Sequence, residues 1–476
     1  MKKITLILLF LCAAFALNAQ QKQSALVGIA KFTGSSVTEQ VPCSYKSIAQ
    51  FTENGYAIAN KAGKVGIIDN TGALIVPIIY DKIYQFDSES LLAVTQTGKQ
   101  CKVVGKGGKT ILPLIPIMGN GSSAYTLYPS EKLITGIKSG VYVYKYTGEQ
   151  FKPTGFEGVY FVRNGMVGVR RKANGKSQFG VYNSSTGALI LPFSSLYSSI
   201  ESKKGFKDAI IVSKGGNYSS KSGLINKQGK LIVNYIYTEP YMWDEGGALL
   251  SLYKQHVMGQ NGAIDDKGKV VIPFQFNTIR YHSDDAYKVQ AKNEKYGLYN
   301  EKGEIVVPCN YDDIAQYSPK WGVTIVKKGD KFFVFANAGT ELTAKGMELT
   351  EQGYDKIGGF NTNGFSPAIR NSKAGLVDKD GREVIPFNYE DIGYPDSGAI
   401  PIKNNGTWSL YSQSEKPQKL IAGDFQSVFN INNGLFGVVQ NNKVAIVNSK
   451  GEFLTKHIYT NVLPMVQGSD AIRVVK

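Results

Sequence analysis

Residues 295–311, KYGLYNEKGEIVVPCNY, contain the spacing pattern that decides the fold. Gly297 is followed by a second glycine six residues later at Gly303, by a proline five residues after that at Pro308, and by an aromatic residue three further on at Tyr311. Three other segments repeat this spacing, at Gly66, Gly72, Pro77 and Tyr80, at Gly262, Gly268, Pro273 and Phe276, and at Gly375, Gly381, Pro386 and Tyr389. A repeat has to be identified before any single motif is interpreted, because it sets the meaning of each recurring residue.

Weaker copies of the same unit fill most of the remaining sequence. They carry the second glycine at Gly34, Gly108, Gly148, Gly187, Gly229, Gly339 and Gly451, and an eroded copy lies near Glu415. When the four clear copies and the eroded one are included, eleven steps lead from Gly34 to Gly451, which gives a mean period of about 38 residues. The sequence therefore predicts an array of about twelve β-repeats over residues 20–476, which could divide into two half-arrays near residue 240.

Each unit is predicted to form four short antiparallel strands. Asp or Asn followed by two polar residues and Gly, as in residues 69–72, makes a tight reversal, because the Asx side chain bonds nearby amides and Gly adopts a left-handed conformation. The strand after this reversal is expected to end at the proline, which has no N–H to donate. The aromatic residue is expected to open another short strand, and a strand of small apolar residues such as 286–289 closes the unit. Such a small sheet buries its faces only by stacking on its neighbours.

The two ends of the chain bear on how the array is arranged. The first unit begins at residues 26–29 without a preceding small-apolar strand, whereas the chain ends on such a strand at residues 471–475. Pairing of the last strand with the first unit would close a ring of blades and remove its exposed edges. We therefore expect an all-β fold of propeller-like blades, in one closed ring or two. An open β-solenoid or superhelix is the alternative, because twelve blades exceed the usual four to eight.

The recurring pattern resembles that of bacterial WG-repeat proteins of the KWG type. It reads Lys-x-Gly-[Ile/Leu]-[Ile/Tyr]-[Asp/Asn]-x-x-Gly-x-[Val/Ile]-[Val/Ile]-x-Pro-x-x-[Tyr/Phe]-Asp-x-Ile and covers nearly all of residues 20–476. The tryptophan that this family typically carries before the first glycine is replaced here by Val65, Phe179, Ser222, Asn261, Tyr296 and Ala374. The resemblance implies a β-rich repeat module, a class whose biochemical roles are mostly unassigned.

The amino terminus has the layout of a secretory signal peptide. Lys2 and Lys3 precede the apolar run 4–17, and the small residue Ala19 stands before Gln20. The run is too short for a membrane span of about 20 residues, and no later run approaches that length. We therefore expect residues 1–19 to be removed near Ala19, and a mature chain without a transmembrane segment that is periplasmic, outer-membrane associated or secreted.

Composition indicates a folded chain with a thinly spread positive charge. The chain has 476 residues, of which 42% are hydrophobic and 19% charged, and the formal net charge is +16. Lysine and arginine recur mostly singly, without the long basic runs of nucleic-acid-binding tails, so we expect no nucleic-acid partner. Cys43, Cys101 and Cys309 remain after export, so at most one disulfide could form.

Residues 105–110, GKGGKT, resemble a phosphate-binding loop only superficially. A Walker A motif needs a glycine where this chain has Val103, and it needs a following helix. The next residues instead predict a strand closed by Pro113, with Gly108 at the turn position of the repeat.

Other catalytic and metal motifs are equally weak. Carboxylates precede Gly268 and Gly381, but no twelve-residue calcium loop follows, so these segments are interpreted as hairpin turns. His256, His282 and His457 are isolated, which argues against a zinc site, and there is no Gly-x-Ser-x-Gly elbow. We expect no catalytic, cofactor or metal site. Structural roles are assigned to the sixteen glycine, proline and aromatic positions of the four clear repeats, which begin at Gly66, Gly262, Gly297 and Gly375.

Two functional hypotheses follow. The first is an exported, non-enzymatic binding or scaffold protein of the cell envelope that mediates protein–protein interaction, because solenoid-like arrays present extended surfaces. The alternative is recognition of a glycan or an anionic polymer, in which exposed loop tyrosines stack on sugar rings and lysines contact acidic groups.

Overall fold

The computed structural model describes residues 26–119, 121–203, 205–215, 221–238, 249–253, 260–283, 286–337, 346–463 and 471–476. The predicted signal peptide at residues 1–19, Gly339 and His256 lie outside these residues. In the described part, no helix is both long enough and apolar enough to cross a membrane. Cys43, Cys101 and Cys309 are free thiols.

The described chain is built from short β-strands. The strands of the first half are β1 Val27–Phe32, β2 Val37–Tyr45, β3 Ser47–Ile48, β4 Tyr56–Lys61, β5 Lys64–Asp69, β6 Leu74–Tyr80, β7 Lys82–Asp87, β8 Leu92–Thr97, β9 Gln100–Val104, β10 Thr110–Pro116, β11 Tyr125–Tyr128, β12 Leu133–Ile137, β13 Val141–Lys145, β14 Gly158–Arg163, β15 Met166–Ala173, β16 Lys176–Asn183, β17 Leu189–Ser194, β18 Ser199–Glu201, β19 Ala209–Lys214, β20 Lys221–Asn226 and β21 Leu231–Thr238. Those of the second half are β22 Leu250–Tyr253, β23 Asn261–Ile264, β24 Val270–Phe276, β25 Thr278–Ser283, β26 Ala286–Gln290, β27 Tyr296–Asn300, β28 Ile305–Tyr311, β29 Asp313–Ser318, β30 Val323–Lys328, β31 Lys331–Ala336, β32 Met347–Glu348, β33 Lys356–Ile357, β34 Phe365–Arg370, β35 Lys373–Asp378, β36 Glu383–Tyr389, β37 Asp391–Ile392, β38 Ala399–Asn404, β39 Thr407–Ser412, β40 Ser427–Asn432, β41 Leu435–Gln440, β42 Lys443–Asn448, β43 Asn461–Leu463 and β44 Ala471–Val475. Short 3-10 helices occur at Lys106–Gly108, Pro129–Glu131 and Pro319–Trp321.

The strands of the described residues form eleven small antiparallel sheets. Most sheets contain four consecutive strands in sequence order, as in β25-β26-β27-β28. One sheet has seven strands, because β21 of one unit pairs with β22 of the next through Thr238 and Tyr253. The expectation of an all-β fold made of small antiparallel sheets is confirmed.

The proline lies inside the fourth strand of a unit and does not end it. β28 contains Pro308 and ends on Tyr311, and the register moves from the pair Leu298–Val307 to the pair Tyr296–Tyr311. Residues 308–310 therefore lie opposite the single residue Gly297 and form a bulge on β28, which is the edge strand of its sheet. At this bulge no ladder hydrogen bond requires an N–H from the proline. The expectations that the proline ends its strand and that the aromatic residue opens the next strand were therefore wrong.

This bulge explains the first glycine of the unit. A Cβ on Gly297 would lie 2.7 Å from the carbonyl oxygen of Val307, the residue before the proline. The equivalent distance is 2.5 Å for Gly66 and 2.8 Å for Gly375. No side chain fits where the bulged carbonyl approaches the neighbouring strand this closely.

The second glycine is required by the turn. Asn300 Oδ1 accepts the N–H groups of Lys302 at 3.0 Å and Glu304 at 2.9 Å, and Gly303 has φ +83°. Only glycine adopts this left-handed conformation at no steric cost.

Apolar clusters hold the sheets together. The described residues contain twelve clusters, and each joins two sheets or units that are neighbours in the array. In one of them, Leu298 and Val307 pack against Ile314 and Phe335 of the following unit. Each sheet therefore buries its faces only because it has a neighbour on either side.

The first sheet is made from both ends of the chain. β1 pairs antiparallel with β44 from the Val27–Val475 pair to the Lys31–Ala471 pair. Ile29 contributes to a cluster with residues of the second sheet, whereas Ile472 packs in a cluster with Ile446 of the last. The predicted pairing of the last strand with the first unit is present.

The aspartate that follows the aromatic residue links successive units. Asp312 receives a hydrogen bond of 2.5 Å from Lys295 Nζ and one of 2.7 Å from the Gly329 N–H of the next hairpin. Asp81 is bonded in the same way by Lys64 and, at 2.6 Å, by the Gly98 N–H. The lysine at the start of the repeat pattern and the aspartate near its end are therefore partners. The sequence shows that both residues recur, but it did not predict that they pair.

Acid should weaken the fold through these aspartates. Lys295 and the Gly329 amide lower the pKa of Asp312, and Lys64 and Gly98 do the same for Asp81. A lowered folded-state pKa means that the stabilisation is present above about pH 4 and is lost as the pH falls through the folded-state pKa. We expect the melting temperature of the Asp81→Asn, Asp312→Asn double variant to depend less on pH between 6 and 3 than that of the wild type.

The matched control is Asp330→Asn, at an exposed hairpin aspartate. Its pH profile should follow that of the wild type. Parallel profiles for the wild type and the double variant would contradict the linking role of Asp81 and Asp312.

Candidate functional site

The sheets present two different ends. Because successive strands are antiparallel, the loop between the first and second strands of a unit and the turn between its third and fourth lie at one end, here called the loop end. The hairpin between the second and third strands lies at the opposite end, here called the hairpin end. Residues 358–364 are such a loop, and residues 371–372 such a hairpin.

Side chains at the loop end bond from one unit to the next. Asn164 Nδ2 donates to the Lys203 carbonyl at 2.7 Å, and Glu131 Oε1 accepts the Gly165 N–H at 3.1 Å. Lys320 Nζ donates to the Thr362 carbonyl at 2.8 Å. These partners are separated by roughly one repeat in the sequence. The bonds therefore connect the loops of neighbouring units at this end.

Three successive loops at this end line a cavity that is open to solvent on one side. Its volume is about 950 Å3, and its walls come from residues 359–363, residues 394–397 and the asparagines Asn430, Asn432 and Asn433. We call it the asparagine cavity. Its size is at the upper end of the usual range for small-molecule sites.

The sequence of each loop explains its local conformation. Asn361 Oδ1 accepts the N–H groups of Asn363 and Phe365, each at 3.0 Å, and so closes the first loop as an Asx turn. Ser397 has φ +50° and Asn433 has φ +55°. Asparagine tolerates this left-handed region better than most residues, because its short side chain can bond locally.

Hydrogen bonds between the loops fix the shape of the cavity. Asn361 Nδ2 donates to the Pro395 carbonyl at 3.3 Å, and Asp396 Oδ2 accepts the Gly434 N–H at 3.0 Å. Trp321 Nε1 of the preceding unit donates to the Asn361 carbonyl at 3.1 Å. Four consecutive units therefore hold the cavity in place.

Tyr394 supplies an aromatic surface. Its hydroxyl donates to the Gly359 carbonyl at 2.8 Å, and a Cβ on Gly358 would lie 2.5 Å from that hydroxyl. The ring is therefore fixed, although 38% of the residue is exposed. Burial of the hydroxyl raises the pKa of Tyr394, so it stays protonated at neutral pH.

The hairpin end is basic. Its exposed basic side chains include Lys61, Lys64, Lys99, Lys138, Arg171, Lys172, Lys176, Lys221, Lys292, Lys328, Lys373, Lys443 and Lys476. The acidic side chains within the same described hairpins are Glu294 and Asp330, and the links between units add Asp81, Asp312 and Glu390, which accept hairpin amides at this end. At the loop end, acidic and basic residues occur together within turns such as 265–269.

The carboxylates singled out in the sequence act in turns. Asp265 Oδ1 accepts the Lys267 N–H at 3.0 Å and the Lys269 N–H at 2.8 Å, and Asp378 bonds its own turn in the same way. Among the described residues there is no cluster of three or more His, Cys, Asp and Glu residues that could hold a metal ion. The interpretation of both segments as hairpin turns is confirmed.

The glycine-rich segment 105–110 is also structural. Lys106–Gly108 form a 3-10 turn, and the strand β10, Thr110–Pro116, follows. The expectation that a strand and not a helix follows this segment is confirmed.

The sixteen predicted repeat positions lie in third strands, turns and fourth strands, and none of them lines the asparagine cavity. Sequence reasoning missed the cavity. The signal was nevertheless present, because the turn sequences NTNG at 361–364, YPDSG at 394–398 and NINNG at 430–434 recur at about the spacing of the repeat. No such signal marked which loops would face one another.

Comparison with known families supports the repeat interpretation. The sequence model of the family described as WG containing repeat matches six segments, residues 66–99, 223–255, 262–296, 296–332, 375–408 and 415–443. The chain is a WG-repeat protein. In this WG-repeat protein the position before the first glycine is filled in different ways: Phe179 is buried and packs edge-on against Tyr160, whereas Asn261 is buried and donates to the Asn277 carbonyl.

No curated protein matches the WG-repeat protein. Among solved structures, a eukaryotic initiation factor is similar at 11% identity and a TM-score of 0.39, over 68% of this chain and 96% of that one. The computationally designed Ika8 protein is similar at 13% identity and a TM-score of 0.28, over 62% and 95%. PorZ, a surface component of the type-IX secretion system of Porphyromonas gingivalis, is similar at 11% identity and a TM-score of 0.21, over 87% and 72%.

Proposed function

We propose that this WG-repeat protein is an exported, non-enzymatic binding scaffold of the cell envelope whose partner is a protein with an acidic surface. The observation that carries the proposal is the composition of the hairpins, in which exposed lysines and arginines outnumber the two acidic residues Glu294 and Asp330. The carboxylates of Asp81 and Asp312 lie at the same end, but each is already bonded to a lysine and to a hairpin amide. A patch of one sign attracts a partner of the opposite sign and raises the rate of association.

The proposed scaffold is a single ring of propeller-like blades. The pairing of β1 with β44 supports closure, and so do the two clusters that join the first sheet to the second and to the last. The cluster that packs Ile211 and Leu224 against Leu250 and Leu252 continues the core past residue 240, which favours one ring over two half-arrays. A closed ring would hold all hairpins of the basic end on one face.

The ionisable groups of the asparagine cavity support a binding role. Tyr394 donates its hydroxyl to a backbone carbonyl, and Asp396 accepts the N–H of Gly434. Both side chains thus hold the loops in place. Asp396 also accepts the Ser397 hydroxyl at 3.0 Å, and the described residues that line the cavity include no histidine, cysteine or lysine beside this pair.

Immunoprecipitation from envelope extracts of the cells that make the protein tests this proposal. The variant replaces Lys172 and Lys176 by glutamate; both are exposed and lie in one hairpin of the basic end. We expect the wild type to retain a specific acidic protein at physiological salt, the variant to bind it about tenfold more weakly, and binding to weaken as salt is added. Mass spectrometry of the captured chain should show an amino terminus at Gln20.

The matched control is Lys267→Glu with Lys302→Glu, at exposed turns of the loop end. It should bind the partner like the wild type. Recovery of no specific protein, equal loss in both double variants, or a chain that keeps residues 1–19 in the cytoplasm would each contradict the proposal.

A further inference from the structure

The asparagine cavity lies at the loop end, away from the basic hairpins, and differs from them in chemistry. Of the described residues that line it, only Asp396 carries a formal charge at neutral pH. The rest of its polar wall consists of amide and hydroxyl side chains, which include Asn363, Asn430 and Thr362. Such a wall does not attract polyanions, because it offers dipoles and one negative charge.

Amide side chains suit a ligand with many hydroxyl groups. Each carboxamide offers two donors and an acceptor with two lone pairs, so it can bond both the O–H and the oxygen of a hydroxyl. Thr362 and Asn363 are exposed at the cavity, and Asp396 adds carboxylate oxygens that accept hydrogen bonds. The wall can therefore bond several hydroxyl groups at once.

The cavity also provides an apolar face beside these polar groups. Tyr394 is partly exposed, and its hydroxyl is fixed on Gly359, so the ring cannot turn away. Phe360 is half-buried in the same wall. An aromatic ring beside convergent hydrogen-bonding groups matches a sugar ring, which has C–H groups on one face and hydroxyl groups around its edge.

The site is preorganised. The Asx turn of Asn361, its bond to Pro395 and the bond between Asp396 and Gly434 tie the three loops to one another through the protein's own groups. A ligand that enters this cavity does not have to order the loops, so less of the interaction energy is lost on binding.

From these observations we infer that the asparagine cavity binds a neutral carbohydrate, with Tyr394 as the stacking surface and the asparagines as hydroxyl ligands. This site is independent of the proposed protein partner at the hairpin end. Charge reversal at Lys172 and Lys176 should therefore leave carbohydrate binding unchanged.

The test uses the intact mature chain, residues 20–476, on an array of neutral oligosaccharides of glucose, galactose, mannose and N-acetylglucosamine together with uronic-acid oligosaccharides. Titration calorimetry with the best neutral oligosaccharide then compares variants. Asn430→Asp keeps the oxygen that accepts the Asn432 N–H, but it loses the amide donor and adds a negative charge to a wall that already contains Asp396. We expect its affinity to fall about tenfold, with an unchanged melting temperature.

Asn174→Asp is the matched control, because it makes the same chemical change at a left-handed hairpin residue of the opposite end. It should bind like the wild type. Asn363→Ala, at an exposed side chain, provides a second variant if Asn430→Asp fails to fold, and it too should bind more weakly. Retention of no neutral oligosaccharide, preference for the uronic-acid set, or equal affinity of the wild type and both cavity variants would overturn the inference.

Discussion

Replacing Ile472 by aspartate is expected to destabilise both ends of the protein together. Ile472 is fully buried in β44 and packs in a cluster that also contains Ala30 of β1 and Ile446 of β42. A carboxylate at this position is either buried without a partner or draws water into the cluster, at a cost of about 4 kcal/mol. The midpoint of thermal unfolding should fall by several degrees, and amide protection should be lost in β1 and β42 at the same time.

The strands in which amide protection is lost distinguish damage at both ends of the chain from a local effect on β44. In the proposed ring the first sheet joins the two ends of the chain, so damage to β44 reaches the first and the last units. Lys476→Ala is the control, because this exposed lysine makes a surface ion pair of 2.8 Å with Glu39, and such pairs contribute little. If Ile472→Asp shifted the midpoint no more than Lys476→Ala, or if exchange increased in β44 alone, closure through the terminal strands would be wrong.

Gly297→Ala should destabilise the protein although it adds a single methyl group. The new Cβ would lie 2.7 Å from the Val307 carbonyl oxygen and 2.9 Å from the Cys309 amide nitrogen. Both are backbone atoms, so strain can be relieved only if β27 and β28 move apart, and we expect a loss of about 2–3 kcal/mol. Chemical denaturation of the wild type and the variant measures this difference.

Gly140→Ala is the matched control. A Cβ there would have a single neighbour, the Phe156 carbonyl oxygen at 3.9 Å, and the φ angle of this glycine is not in the left-handed range. Its stability should stay within about 0.5 kcal/mol of the wild type. Equal stabilities of the Gly297 and Gly140 variants would show that the close approach of the carbonyl does not explain the first glycine of the repeat.

The repeat could be predicted from sequence because its signals are local. The turn at residues 300–303 depends on one Asx side chain and one glycine, and both effects act over four residues. The prediction that the fourth strand ends at its proline was wrong because the deciding contact is not local. A strand that lacks an N–H at Pro308 continues only if a bulge removes that residue from the ladder, and the bulge depends on the neighbouring strand.

The asparagine cavity could not be predicted in the same way. Its three loops are about 35 residues apart in sequence, and the bond from Asn361 to Pro395 and that from Gly434 to Asp396 show which atoms meet. The turn sequences of these loops look like ordinary reversals when each is taken alone. The candidate site is therefore a property of neighbouring repeats and not of any one repeat.

Sequence alone determined the period, the turns and the all-β character of this protein, because glycine conformations, Asx turns and strand alternation depend on residues close together in the chain. Tertiary structure decided which sheets pack on which, how Asp312 joins Lys295 to the hairpin of Gly329, and how the last strand pairs with the first. These contacts join residues from 17 to more than 400 positions apart, and their geometry arises only when the sheets stack and bury their faces.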